Sequence, residues 1–229
     1  MSIILNIDTA ADTAYVSLAK DGEVLLELSN NDLKDHGAFL QPAIHTLLKN
    51  TSISIRKLDA IAISAGPGSY TGLRVGMASA KGLCYALNKP LITLSTLEIL
   101  AFAAILKAGN ENIVSPHLFC PMIDARRMEI YTALYNSNLE IVLEPCAMIL
   151  EKSSFANTLL KYTVLFFGNG AKKWEPNCNH QNGIFLTVLN NPLAMSKLSH
   201  KKYELSDFAD LAYSEPFYLK EFFGGSIPL

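Results

Sequence analysis

A glycine-rich segment, Ser64-Ala-Gly-Pro-Gly-Ser-Tyr-Thr-Gly-Leu-Arg-Val-Gly76, carries the strongest chemical signal in the sequence. It joins an apolar run to a helical pattern, and such a turn offers backbone N–H groups and a helix dipole to an anion. A Walker A lysine is missing because Leu73 follows Gly72, and Gly66-x-Gly68-x-x-x-Gly72 is one residue too long for a dinucleotide fingerprint. The segment therefore predicts either an unusual phosphate loop or a tight turn whose glycines provide only backbone freedom.

Other groups that could do chemistry are sparse. Asp124 and Glu129 flank Arg126-Arg127, which is more typical of a surface ion-pair cluster than of an acid–base pair. The sequence lacks the GxSxG motif of serine hydrolases, and its five histidines include no pair spaced i, i+4. Its four cysteines have no CxxC spacing, which excludes a zinc ribbon and a thioredoxin motif and favours reduced thiols in a cytosolic protein.

The helix expected after the glycine-rich turn has an unusually flat side. Gly72, Gly76 and Ala80 recur every four residues, and each internal glycine costs about 1 kcal/mol relative to alanine. Close packing should offset that cost, either against the protein's own sheet or against a helix of another chain. In the second case, apolar contact area would come from Phe39, Leu40, Ala43, Leu47 and Leu83.

Composition excludes several classes of protein. The chain has 229 residues, of which 50% are hydrophobic and 17% charged, so it is not intrinsically disordered. A net charge of −2 argues against a protein that grips nucleic acid alone, since phosphate binding needs clustered basic residues. The N-terminal residues lack a basic leader, and the longest apolar stretch, near 99–106, is too short to span a membrane. We expect a cytoplasmic protein without membrane contact.

Hydrophobic periodicity predicts an α/β protein with two lobes built on mixed sheets. The expected strands are 3–7, 13–20, 23–29, 58–64, 91–94, 118–124, 128–135, 139–143 and 163–167. The expected helices are 39–48, 69–87, 96–107, 151–161 and 207–213. We place the N-terminal lobe, with the glycine-rich loop and the interface helices, at 1–108. The C-terminal lobe is placed at 109–229, and its last segment could return to the first lobe.

Several motifs occur together in one order along nearly the whole chain. They are Asn6-Ile-Asp-Thr9, the glycine-rich segment, Asp124-Ala-Arg-Arg-Met-Glu-Ile-Tyr131, Gly168-Asn-Gly-Ala171 and Pro216-Phe-Tyr-Leu-Lys220. In this combination the sequence closely resembles the TsaB family of tRNA threonylcarbamoyladenosine biosynthesis proteins, also called glycoprotease-like or YeaZ-type. The resemblance implies the two-lobed actin-like and sugar-kinase-like ATPase fold, with ribonuclease H-like lobes of mixed sheets and flanking helices. It also implies a role in adding threonylcarbamoyl to the adenosine beside the anticodon of tRNA.

In that system the transfer is catalysed by the paralogue TsaD, and TsaE is the ATP-hydrolysing partner. TsaD carries a His-x-x-x-His metal pair after a Pro-Leu-Ile-type strand. Anchored on Pro90-Leu91-Ile92, the matching positions are Thr96 and Leu100, which offer no imidazole. The resemblance therefore implies a non-catalytic subunit with no catalytic residues, no metal and no cofactor of its own. It would pair with TsaD through a helix bundle, form a homodimer without that partner, and meet tRNA only through the complex.

The resemblance also directs attention to two sets of residues. The predicted partner interface comprises Phe39, Leu40, Ala43, Leu47, Gly72, Gly76, Ala80 and Leu83. ATP or ADP at the partner interface would be held by Asp8, Thr9, Gly66, Gly68, Ser69, Thr71, Gly168 and Gly170. Asp8 takes the strand end where actin-like ATPases keep a metal-linked carboxylate. The alternatives are thus an actin-like ATPase or kinase, a nucleotide-sensing module, or a glycoprotease-like peptidase.

Overall fold

The computed structural model describes residues 1–31, 36–110, 116–188 and 191–220, which form two five-stranded sheets. The first has the order β3-β2-β1-β4-β5 and comprises β1 (Ile3–Asp8), β2 (Ala14–Lys20), β3 (Glu23–Asn30), β4 (Ala60–Gly66) and β5 (Leu91–Ser95). The second has the order β10-β9-β6-β7-β8 and comprises β6 (Leu118–Asp124), β7 (Glu129–Tyr135), β8 (Ile141–Ile149), β9 (Val164–Phe167) and β10 (Gly183–Leu186). In each sheet, three antiparallel strands are followed by two parallel ones, so the same topology occurs twice.

Helices pack on both sheets. The α-helices in the described residues are α1 (His36–Thr51), α2 (Tyr70–Leu87), α3 (Thr96–Asn110), α4 (Ala156–Leu159), α5 (Ala171–Trp174) and α6 (Pro192–Glu204). The first two pack on one face of the first sheet, while α3 and α6 fill the space between the sheets. The short helices α4 and α5 pack on the far side of the second sheet. The predicted fold class, two α/β lobes on mixed sheets, is confirmed.

Local sequence explains the elements that carry the glycine-rich turn. All seven residues of β4 are buried, as expected for an apolar strand covered on both faces. The N-terminus of α2 is capped by Ser69, whose Oγ accepts a hydrogen bond from Gly72 N at 3.3 Å. At the other end, Asn88 adopts a left-handed conformation that terminates the helix.

Helix α6 was not predicted, because its buried face mixes serines with apolar residues. Ala194, Met195 and Leu198 join the core between the sheets, whereas the buried Ser196 and Ser199 are hydrogen-bonded to the side chain of Asn6 on β1. Asn6 Nδ2 donates to Ser196 Oγ at 3.2 Å, and Ser199 Oγ donates to Asn6 Oδ1 at 2.7 Å. The two serines interrupt the apolar pattern of this face, so hydrophobic periodicity gives only a weak signal. The contact also brings a C-terminal helix onto the first sheet.

Three other sequence predictions differ from the structure. Residues 207–213 are not helical but form turns, with Ala209 N donating to Leu91 O at 2.8 Å beside β5. The helix expected over 151–161 shortens to α4. The strand expected at 139–143 begins only at Ile141, because Leu139 lies in a turn with φ of 62°. It continues beyond the predicted end to Ile149.

Within the described ranges, none of the helices is both long enough and apolar enough to cross a membrane.

Candidate functional site

The glycine-rich turn is filled by the chain's own backbone. Ser69 N donates to Ala10 O at 2.7 Å, and Thr9 Oγ1 donates to Gly72 O at 2.7 Å. A β-carbon on Gly68 would lie closer than 3.0 Å to the carbonyl oxygen of Ala10, and one on Gly72 would overlap that of Thr9. The glycines thus allow the loop between β1 and β2 to approach α2. The Ser69 N–H group of the turn is bound by this loop and does not point to an open space.

The other side of the same turn is covered by the C-terminal strap, which we define as residues 207–220. Gly66 has φ of 117°, and a β-carbon there would overlap the carbonyl oxygen of Phe217. Phe217 N donates to Ala65 O at 2.7 Å, and the Tyr218 ring lies 5.4 Å from the Tyr70 ring. The strap closes the end of β4 from outside.

Asp8 is fully buried at the end of β1. Its Oδ1 accepts hydrogen bonds from Ser64 Oγ at 2.6 Å and from Ala10 N at 2.9 Å. Tyr15 lies opposite Asp8 in the ladder, and burial together with the charge of Asp8 raises the pKa of the Tyr15 hydroxyl well above its usual value. Through these contacts, the Asp8 carboxylate joins β1 to β4 and to the loop that follows β1, which is a structural role.

A cleft of about 600 Å³ lies between the two lobes. Its apolar wall includes Ile123, Phe166 and Phe185, whereas its polar wall includes the carboxylates of Asp12, Glu27 and Glu175. Lys172 is the basic residue on this lining. Because the carboxylates on this lining outnumber its basic residue, the cleft repels a phosphate group rather than attracting one.

The structure divides the predicted nucleotide-binding set. Gly168 lines the cleft, whereas Asp8, Thr9, Gly66, Gly68, Ser69, Thr71 and Gly170 do not. Gly168 has φ of 96°, and Gly170 N donates to Met122 O at 2.9 Å, so this second glycine turn packs on the end of β6. Apart from Gly168, the predicted set therefore lies outside this cleft.

Sequence reasoning missed the residues that join the two lobes at the cleft. Asn169 Nδ2 donates to Asp12 Oδ2 at 3.2 Å, and Asn169 Oδ1 accepts from Asp124 N at 2.8 Å. The sequence signal was present, because Asn169 lies between two glycines and Asp12 lies in the first strand connection. Nothing in either stretch indicated that they would meet.

The predicted interface residues divide by burial. Leu40, Ala43, Leu47, Gly72, Gly76 and Ala80 are buried, whereas Phe39 and Leu83 are half-buried and pack against the same core. The six buried residues pack inside the first lobe, whereas Phe39 and Leu83 keep part of their side chains exposed. The exposed faces of these helices carry Ala38, Gln41, His45, Arg74, Ala78, Gly82 and Tyr85.

The positions that match the TsaD histidine pair lie at the start of α3. Thr96 is 1% exposed, and its Oγ1 has no hydrogen-bond partner in the structure as described. Leu100 is buried beside the cleft. In the ranges the structure covers, no three His, Cys, Asp or Glu residues are grouped so that they could hold a metal ion.

Comparison with known proteins places this geometry in a family. Residues 24–214 match the family model for TsaD, the tRNA N6-adenosine threonylcarbamoyltransferase. The chain is 31% identical to the tRNA threonylcarbamoyladenosine biosynthesis protein TsaB of Buchnera aphidicola subsp. Schizaphis graminum over 75% of this chain and 80% of that protein. The chain belongs to the TsaB family. Identity with the Escherichia coli TsaB is 27%, over 95% of this chain and 94% of the relative.

Coverage of the TsaB family differs among its members. Identity with the Bacillus subtilis TsaB is 36%, but the match spans 58% of this chain and 54% of that protein, about half of its length. Among solved structures, YeaZ from Pseudomonas aeruginosa superposes with a TM-score of 0.79 at 23% identity, over 96% of this chain and 100% of the other. This likeness establishes the fold, and it agrees with the repeated sheet topology.

Proposed function

We propose that this chain is a non-catalytic partner subunit in tRNA threonylcarbamoyladenosine biosynthesis, where it binds the catalytic subunit TsaD and stabilises it in its active geometry. Membership of the TsaB family supports the pathway. The observation that carries the non-catalytic role is the turn at Gly68 and Gly72, whose space is taken by the backbone of Thr9 and Ala10. A turn closed in this way gives structure rather than a phosphate cradle.

The contact with TsaD is assigned to the outer faces of α1 and α2. Gln41 Nε2 donates to Ser79 Oγ at 3.2 Å, which holds the two helices side by side. Outside its own turn of helix, Gly82 has no atom of the described residues within 4 Å of its β-carbon position, and Tyr85 is 83% exposed. Small exposed residues beside an exposed aromatic ring suit close helix–helix packing, since aromatic residues often supply the central contacts of interfaces. Without TsaD, the same surface would pair two copies of this chain.

Variants of α2 can test this assignment. Gly82→Leu should abolish co-elution with TsaD, because it adds a branched side chain to the proposed contact without meeting this chain's own atoms. The matched control is Gly109→Leu, since Gly109 also has open space around its β-carbon position but lies at the end of α3. Co-elution of the Gly82→Leu chain with TsaD at wild-type yield would refute the interface.

The function itself is tested by reconstitution. We expect TsaD and TsaE to modify tRNA in the presence of this chain and to lose most of that activity without it. We propose that the complex of this chain with TsaD requires TsaE and acts on tRNA in the cytoplasm. Modification at full rate without this chain would contradict the non-catalytic partner role, and transfer by this chain alone would contradict the absence of catalysis.

A nucleotide-sensing role is the second candidate, and the observation that favours it is the size of the cleft, since about 600 Å³ lies within the range of small-molecule sites. The repulsion between phosphate and the carboxylates of the lining weighs against this role. Calorimetry with ATP and ADP, in the presence and absence of TsaD, separates this role from that of a pure scaffold. The ATPase and peptidase alternatives would require turnover by the isolated chain.

A further inference from the structure

The turn between β6 and β7 has an unusual backbone for its sequence. Arg126 has φ of 69° and Arg127 has φ of 46°, so two consecutive arginines adopt left-handed conformations. Left-handed backbone costs roughly 1–2 kcal/mol per residue for side chains other than glycine, asparagine and aspartate. Glycine, asparagine and aspartate usually occupy such positions for that reason. Strain of this kind occurs at functional sites, where the side chain has a use that offsets it.

The acidic groups of this turn are already neutralised. Asp124 Oδ1 accepts from Arg126 N and from Lys173 Nζ, both at 2.6 Å. Glu129 forms an ion pair with Lys220 of the strap. These carboxylates are therefore not available to bind the guanidinium groups of the two arginines.

Three cations lie on the surface formed by this turn and the start of α5, and one of them, Lys172, lines the cleft. Arg126, Arg127 and Lys172 are exposed, and none of their charged groups has a hydrogen bond or ion pair within the portion of the chain that the structure covers. The loop containing Asn169 lies against Asp124, so the turn and the start of α5 belong to one surface. We name Arg126, Arg127 and Lys172 the basic rim.

We propose that the basic rim binds the phosphate backbone of the RNA substrate when this chain is part of the TsaD complex. The proposal rests on the proposed function for the presence of that substrate. Guanidinium groups form paired hydrogen bonds with phosphate oxygens, and an exposed turn can reach a backbone that is too wide for the cleft. The carboxylates of Asp12, Glu27 and Glu175 inside the cleft keep phosphates on the rim.

A protein contact is the less suitable occupant. The desolvated cores of protein interfaces are depleted in charged residues as a class, whereas the basic rim consists of three exposed cations with no aromatic residue among them. A net charge of −2 for the whole chain also fits a local contact that is too weak to hold RNA without the complex.

The test measures binding of an unmodified tRNA transcript to the purified complex of this chain with TsaD at several salt concentrations. The variant Arg126→Asn/Arg127→Gly removes both charges and introduces residues that tolerate the left-handed backbone. We expect its tRNA dissociation constant to rise about fivefold to tenfold, and the slope of log affinity against log salt to fall by about 2. Its melting temperature should rise, because the backbone strain is relieved.

The matched control is Arg56→Gln/Lys57→Gln, which also removes two exposed positive charges. These residues lie in the 3-10 turn that precedes β4, outside the basic rim. The proposal predicts wild-type tRNA affinity for this control. Equal losses in both double variants, or no loss in the rim variant, would overturn it. Failure of the rim variant to co-elute with TsaD would assign the rim to a protein contact and would overturn it as well. Failure of the wild-type chain to co-elute would instead refute the proposed function.

Discussion

The hydroxyl of Thr9 occupies the space in which a β-carbon of residue 76 would stand. Thr9 follows β1 and Gly76 lies in the middle of α2, and an added β-carbon on Gly76 would overlap both Thr9 Oγ1 and Ile63 Cδ1 at less than 3.0 Å. The same Oγ1 donates to Gly72 O at 2.7 Å, so it holds the first turns of α2 against the end of β1. Glycine at position 76 is therefore required by the protein's own packing.

This relationship predicts opposite effects for two glycines of one helix. Gly76→Ala should lower the free energy of unfolding by about 1–3 kcal/mol, because buried atoms must move to admit a methyl group. Gly82→Ala should raise it by about 0.5–1 kcal/mol, since the position is open and alanine favours helix. Urea unfolding of the two variants measures both changes, and changes of the same sign would contradict this account.

Asp8 should behave as a structural residue. Asp8→Ala leaves Ser64 Oγ and Ala10 N without their acceptor in a buried site, and we expect a loss of about 2–4 kcal/mol in the free energy of unfolding. Thermal or urea denaturation measures the loss, and Asp12→Ala at the cleft is the control. A stable Asp8→Ala protein that has lost ATP turnover would instead support the ATPase alternative.

The C-terminal strap should open when its lysine anchor is removed. Lys81 Nζ donates to Ala212 O at 3.2 Å and to Ser214 O at 2.8 Å. Lys81→Met should lower the free energy of local opening by about 1–3 kcal/mol. Faster hydrogen exchange at Phe217 N, without faster exchange in β4, is the expected result. Lys57→Met is the control, and unchanged exchange in the Lys81 variant would show that the anchor does not hold the strap.

Alkaline pH should destabilise the protein through its buried acids. Burial raises the pKa of the Cys120 thiol to about 12 from its usual value of 9.0, and it also raises the pKa of Tyr15. The protonated thiol is the form that the folded state favours, so its contribution is complete below pH 9.0 and is lost as the pH rises toward about 12. The melting temperature should therefore fall steeply across this interval.

The contribution of Cys120 can be separated by substitution. Cys120→Ala should show a shallower fall in melting temperature between pH 9.0 and about 12, although its stability at neutral pH is lower because of the cavity. Cys178→Ala, at a half-buried position, is the comparison variant. An unchanged pH profile in Cys120→Ala would remove this thiol from the explanation.

Sequence pattern alone established the two α/β lobes and the strand–turn–helix at the glycine-rich segment. Each depends on neighbouring residues, since apolar periodicity distinguishes strands from helices and glycines mark the turn between them. The motif order also sufficed for the family. Burial directions could not be read with the same certainty, because both faces of α2 carry small residues such as Ala78 and Ala80.

Only the tertiary structure decided what the glycines accommodate. The carbonyl groups of Thr9 and Ala10 and the strap residue Phe217 come from distant parts of the sequence, and their approach to the turn depends on how β1, β4 and the C-terminus meet. The same holds for α6, whose buried serines bond to Asn6 across 190 and 193 positions of sequence. The local sequence pattern indicates which face of a segment can be buried. Which atoms pack against that face depends on contacts between segments that are far apart in the chain.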